Sequence, residues 1–168
     1  MEQHYVSIDL EENVARLLCN EWVDDGYISV DAFALAPKET YLSVNRPAVD
    51  TFNDDVKKFV TIHQDFVEVK DDELTFCAAM MNVGDIKAIA VEKDGRLLDV
   101  DVEIESRDAH TKSHAGIFVR SGGVNIVKGR NIKSISALRG VSSDDILMEV
   151  QWSLKDTASL EMHFLPQH

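Results

Sequence analysis

Proline is scarce in this chain, with 3 among 168 residues, and no stretch is rich enough in Pro, Gly or Ser to act as a linker. A chain of this length can bury roughly 70% of its unfolded surface in one core, so a single domain over 1–168 is expected. Cysteine is scarcer still. Cys19 and Cys77 stand in apolar surroundings with no metal-ligand spacing around them, the pattern of small buried thiols in a reducing compartment rather than of a disulfide. No apolar run approaches the ~20 residues of a membrane span, and Met1–Tyr5 lacks the basic and apolar regions of a leader. The expected location is the cytoplasm, with no membrane partner.

Catalytic and cofactor motifs are missing as well. The stretch Gly123 to Arg130 superficially resembles a phosphate loop, but its order is Lys128-Gly129 rather than Gly-Lys, and no Ser or Thr follows. The strands expected on either side leave no helix N-terminus to hold a phosphate. His110 and His114 have the i, i+4 spacing of two ligands on a helix, yet a strand is expected to begin at His114. In an extended chain such residues lie about 13 Å apart, too far to share an ion. Ser113 and His114 are neighbours, and neighbours in a strand point to opposite faces. No metal and no cofactor is therefore expected.

What is present is a globular composition, 45% hydrophobic and 28% charged, too rich in apolar residues for disorder. Val14, Leu17 and Leu18 recur at helical spacing, so a first helix is expected over about 11–23, closed by Gly26. Tyr27–Ala36 reads as a strand with an irregularity at Phe33, and Tyr41–Val44 as a short strand ended by Arg46-Pro47. A second helix fits 52–63, with Thr51 as its cap, Asp54 and Asp55 in its first turn, and Phe52, Val56, Phe59 and Val60 as its buried stripe.

The centre of the chain reads as β. Asp94-Gly95 between Ile86–Val91 and Leu97–Ile104 is hairpin chemistry, because both central residues of a type I′ turn need positive φ. In the second arm Leu98, Val100, Val102 and Ile104 alternate with Asp99, Asp101, Glu103 and Glu105, a buried face backed by solvated acid. Strands at Ala115–Val119 and Val124–Val127 follow, then a short helix or turn at 131–139. A last hairpin is expected from the alternation of Ile146, Met148, Val150, Trp152 and Leu154 and the return of Leu160, Met162 and Phe164. Trp22 and Trp152 are assigned to the core. The expected fold class is α+β: a largely antiparallel sheet with two N-terminal helices packed on one face.

Charge is divided unevenly. The chain totals −13, yet residues 109–143 contain no Asp or Glu and carry Lys112, Arg120, Lys128, Arg130, Lys133 and Arg139, which leaves −19 for the rest. The total disfavours nonspecific nucleic-acid binding. The segment also holds Gly116, Gly122, Gly123, Gly129 and Gly140, five of the eight glycines, which let a backbone approach an anion closely. Arg120, Lys128, Arg130, Lys133 and Arg139 are thus candidate contacts for an anionic, phosphate-containing ligand or an acidic protein surface. The bland alternative is that these cations pair with the acidic body.

Four pieces together resemble a bacterial protein family without settled function. They are Val30-Asp-Ala-Phe-Ala-Leu35, Tyr41-Leu-Ser-Val-Asn-Arg46, Cys77 with Val83-Gly-Asp-Ile-Lys-Ala-Ile89, and Ser113-His-Ala-Gly-Ile117. The resembling proteins show the same order of a Leu-Ser-Val-x-Arg strand, a Val-Gly-Asp-Ile segment and a His-Ala-x-Ile segment, over about residues 28–117. The chain departs from them in having Thr111-Lys112-Ser113 where a proline is expected, and in its long extension after Ile117. The resemblance implies a neighbourhood of defence or mobile-element genes and supplies no chemistry. A site shared with that family would carry over Arg46 and His114.

The leading expectation from the sequence is a non-catalytic binding module that contacts an anionic ligand or acidic partner through 109–143. The alternatives are a small enzyme acting on a phosphate-containing or nucleic-acid substrate with His114 and Arg46, and a homo-oligomeric structural protein.

Overall fold

The computed structural model describes residues 8–70, 73–107, 111–129, 138 and 140–166. Among the described residues the first element is a strand, β1 (Asn13–Leu18), followed by a 3-10 turn at Asn20–Trp22 and the short paired strands β2 (Val23–Asp24) and β3 (Tyr27–Ile28). A second 3-10 turn, Val30–Phe33, leads to β4 (Leu42–Asn45) and the helix α1 (Phe52–Ile62). After a third 3-10 turn at Gln64–Phe66 come β5 (Val67–Lys70), β6 (Glu73–Asn82) and the short helix α2 (Val83–Lys87). The ribbon β7 (Glu92–Lys93) and β8 (Arg96–Leu97) precedes β9 (Asp101–Ser106), β10 (His114–Ser121) and β11 (Val124–Asn125). The chain closes with α3 (Ser143–Thr157) and β12 (Ser159–Pro166).

Among the described residues, eight strands form one antiparallel sheet along the path β11-β10-β4-β1-β6-β12, with β9 paired to β10 and β5 to β6. Both faces are covered. Val14, Leu18, Val44, Met81, Ile104 and Ile117 point to the side packed by α2, α3 and the Val30–Phe33 turn. Ala15, Leu17, Phe76 and Ala78 point to the side packed by Phe52, Val56 and Val60 of α1. The molecule is therefore α+β with an antiparallel sheet. No helix among the described residues is long and apolar enough to cross a membrane.

Several expectations are overturned. The chain does not begin with two helices on one face: the segment expected to be a helix over 11–23 is β1, and helices lie on both sides of the sheet. The reason is that β1 is central. Val14, Ala15, Leu17 and Leu18 are all buried, and a strand buried on both faces loses its period-2 signal. Arg16 sits within this apolar run because its guanidinium donates to the carbonyls of Ala32 and Ser43, each at 3.0 Å, and stacks over Trp22. Its burial, against an opposing pull from Glu39, lowers its pKa to about 10.

Another correction is at the C-terminal end, where 143–157 is the longest helix among the described residues and not one arm of a hairpin. Ile146, Val150 and Leu154 are buried, while Met148 and Trp152 are about half exposed. An i, i+4 stripe interleaved with two large apolar side chains imitates alternation. The capping chemistry decides for helix: Ser142 accepts from the Asp145 N–H at 3.1 Å, and Asp144 and Asp145 occupy the positive N-terminal turn. Tyr27–Ala36 is likewise only a two-residue strand followed by a 3-10 turn.

Local chemistry elsewhere acts as expected. Helix 52–62 forms, although Thr51 bonds the Asp55 carboxylate rather than a backbone cap position. Asp94 and Gly95 turn the β7–β8 ribbon with φ of +54° and +76°, but Ile86 belongs to α2 and the long strand begins only at Asp101. The expected turn at 131–139 lies outside the described residues apart from the buried Leu138. Cys19 and Cys77 are free thiols, and burial pushes both thiol pKa values up.

Candidate functional site

The sheet register separates the two residues singled out for catalysis. In β4, Leu42 and Val44 face the α3 side, so Ser43 and Asn45 face the α1 side. Cross-strand pairing of Asn45 with His114 and of Ser43 with Gly116 puts His114 on that same α1 side. Arg46, one residue past β4, turns to Glu12 in a two-pronged ion pair of 2.7 and 3.0 Å. Both side chains of the pair are mostly buried, and the Arg46 N–H is bonded to the Ser113 carbonyl. Arg46 thus braces the entry to β1, and it does not line the cleft that His114 lines.

That cleft, of about 280 Å³, lies between α1 and the start of β10. Its walls include Ser43, Asn45, Lys58, Phe59, Thr111 and His114. His114 Nδ1 is 3.2 Å from the Arg107 carbonyl and Nε2 is 3.3 Å from Ser43 Oγ. At its back, the buried Asp55 of α1 accepts from the Ser113 N–H at 3.0 Å, the Ser113 hydroxyl at 2.6 Å and the Thr51 hydroxyl at 2.9 Å. Asn45 in turn donates to Ser113 Oγ. Burial pushes the Asp55 carboxyl up, but these donors and the nearby Lys58 outweigh it, so its pKa lies below the ordinary value.

Beside the cleft the same face carries an aromatic and cationic stack. The Arg107 guanidinium lies over the Tyr41 and Phe118 rings, and Arg120 covers Phe118 at 4.2 Å. Gly116 is required there: a Cβ would stand 2.5 Å from Tyr41 Cδ2. The Arg107 Nε is buried with no hydrogen-bond partner among the described residues.

The cations of the acid-free segment have unequal surroundings. Arg120 is held by Glu103 and Glu105 at 2.5 Å each and by Asn125 at 2.7 Å. The register explains this, because Glu103, Glu105 and Arg120 share one face of the paired strands β9 and β10. Lys112 forms an exposed pair with Asp50. Lys128 enters no ion pair among the described residues and shares an open hollow of about 280 Å³ with Lys38 and Thr40. Arg130, Lys133, Arg139 and His110 lie outside the described residues.

Sequence reasoning passed over Ser43, Asp55 and Lys58 as site residues, and Lys38 too. Alternation in Leu42-Ser43-Val44-Asn45 was the available signal for Ser43. It indicated a shared face with Asn45 but not what faced it. No protein-family model, no curated protein and no solved structure matches the chain.

Proposed function

We propose that this chain is a binding module that uses its acid-free segment to hold an anionic ligand or an acidic protein surface, with Lys128 and Lys38 as the first contacts. One observation carries the reading: in a protein of net charge −13, two lysines share an open hollow with Thr40, and neither is ion-paired among the described residues. Two lysines lining one hollow give it positive charge, and an anion bound there is attracted by both. The neighbouring Gly129 has φ of +75°, and its N–H is bonded to Asp144 at 3.0 Å. This bond ties the turn that carries Lys128 to the first turn of α3. Arg120 supports the reading less, since its donors are already committed to carboxylates.

The test is calorimetric titration with inorganic tripolyphosphate, comparing the wild type with Lys38→Glu/Lys128→Glu. Binding that weakens as salt rises, and falls at least about tenfold in the double variant, is expected, because open surface charges are screened within ~10 Å at 0.1 M salt. Equal affinity of the two proteins, or affinity independent of salt, refutes the assignment.

A further inference from the structure

His114 is oriented by backbone. The Arg107 carbonyl that lies 3.2 Å from Nδ1 can only accept, so Nδ1 carries the proton, and in the neutral ring Nε2 is the acceptor. The Ser43 hydroxyl, 3.3 Å away, then donates to Nε2. That carbonyl is itself held in place, since the Arg107 N–H is bonded to the His114 carbonyl at 2.7 Å. The Tyr41 ring, seated on Gly116, stands 5.9 Å from the imidazole and buttresses it. Ser43 and His114 sit diagonally across paired strands on one face, and both line the cleft.

A hydroxyl within hydrogen-bond reach of a histidine, with the histidine fixed by a third group, is the arrangement that activates a serine nucleophile. The recognition rests on geometry rather than on position in the chain. We propose that Ser43 and His114 form a catalytic dyad for hydrolysis of small carboxylic esters, with the Arg107 carbonyl in the orienting role. Ser43 Oγ attacks the ester carbonyl carbon while its proton passes to His114 Nε2. Collapse of the tetrahedral intermediate breaks the bond to the alcohol, which leaves with the proton from Nε2. Water then gives a proton to Nε2 and attacks the acyl-Ser43, releasing the carboxylic acid and returning the proton to Ser43. The Lys58 ammonium lining the cleft supplies positive charge for the developing oxyanion. Phe59 and the exposed Ile62 form an apolar wall, and the volume of about 280 Å³ selects short, uncharged acyl groups.

The experiment pairs a fluorophosphonate probe, read by intact mass and peptide mapping, with hydrolysis of p-nitrophenyl butyrate. One phosphonyl adduct on Ser43 is expected, together with turnover of the ester. Ser43→Ala should lose both, and His114→Gln should lose about 100-fold of each, the scale of a positioned general base. Ser43→Ala leaves the bond from His114 to Arg107 intact and removes one half-buried hydroxyl, so it decides the question alone if His114→Gln does not fold. No adduct, an adduct on another serine, or wild-type turnover in Ser43→Ala overturns the proposal, as does wild-type labelling in folded His114→Gln.

Discussion

Asp55 is the residue through which α1 is fastened to the sheet beside the cleft, and replacing it by alanine measures that fastening. The carboxylate is 7% exposed and Ser113 is fully buried. In Asp55→Ala the Ser113 N–H loses its acceptor at the back of the cleft, and the Ser113 hydroxyl loses a 2.6 Å charge-assisted bond. A stranded buried donor costs about 1–3 kcal/mol and a bond to a charged group is worth about 1.5–3 kcal/mol. Thr51 recovers part of its loss through solvent, so a net destabilisation of about 3 kcal/mol follows. For a domain of this size that lowers the melting temperature by about 9 °C. Asp55→Asn retains an acceptor but no charge and should lose about half as much.

The pH dependence has a definite sign. A carboxyl whose folded-state pKa lies below its ordinary 3.8 contributes stability above that ordinary value and loses it as pH falls through the folded-state pKa. The gap between wild type and Asp55→Asn is therefore constant from about pH 5 to 8 and closes below about pH 4. Urea unfolding at several pH values measures it. Asp55→Ala within about 0.5 kcal/mol of wild type at pH 7 refutes the reasoning, and so does a gap that widens in acid.

Arg120→Ala removes a mostly buried guanidinium from Glu103, Glu105 and Phe118, leaving two carboxylates side by side. A loss of about 2 kcal/mol is expected in urea unfolding, with Arg120→Lys recovering only part of it because a point charge cannot reproduce the fork. Gly116→Ala drives a methyl into the Tyr41 ring and should cost about 2 kcal/mol by the same measurement. Tyr41→Ala in that background should restore part of the loss, because it empties the space the methyl needs.

Local chemistry was legible in the sequence. Helix 52–62 follows from its apolar stripe and its acidic first turn, and the Asp94-Gly95 turn follows from two residues that tolerate positive φ. The antiparallel character of the centre follows from alternation at Leu98 to Glu105. These features depend on residues a few positions apart, whose energetics the backbone expresses without help.

The rest depended on partners distant in the chain. Whether 13–18 is helix or strand is set by pairing with β4 and β6, which hides its alternation beneath two covered faces. Along Ile146 to Leu154 the Ser142 cap favours the helix locally, and the sheet selects which face of it is buried. The same holds for the charges. The sequence by itself determined that residues 109–143 carry only cations and that the remainder is acidic. The tertiary structure decided which cations are spent, because register aligns Arg120 with carboxylates 15 and 17 residues away while Lys128 shares an open hollow with Lys38. Nor could composition reveal that Ser43 and His114, 71 residues apart, share a hydrogen bond: strand pairing brings them together, and no local pattern encodes it.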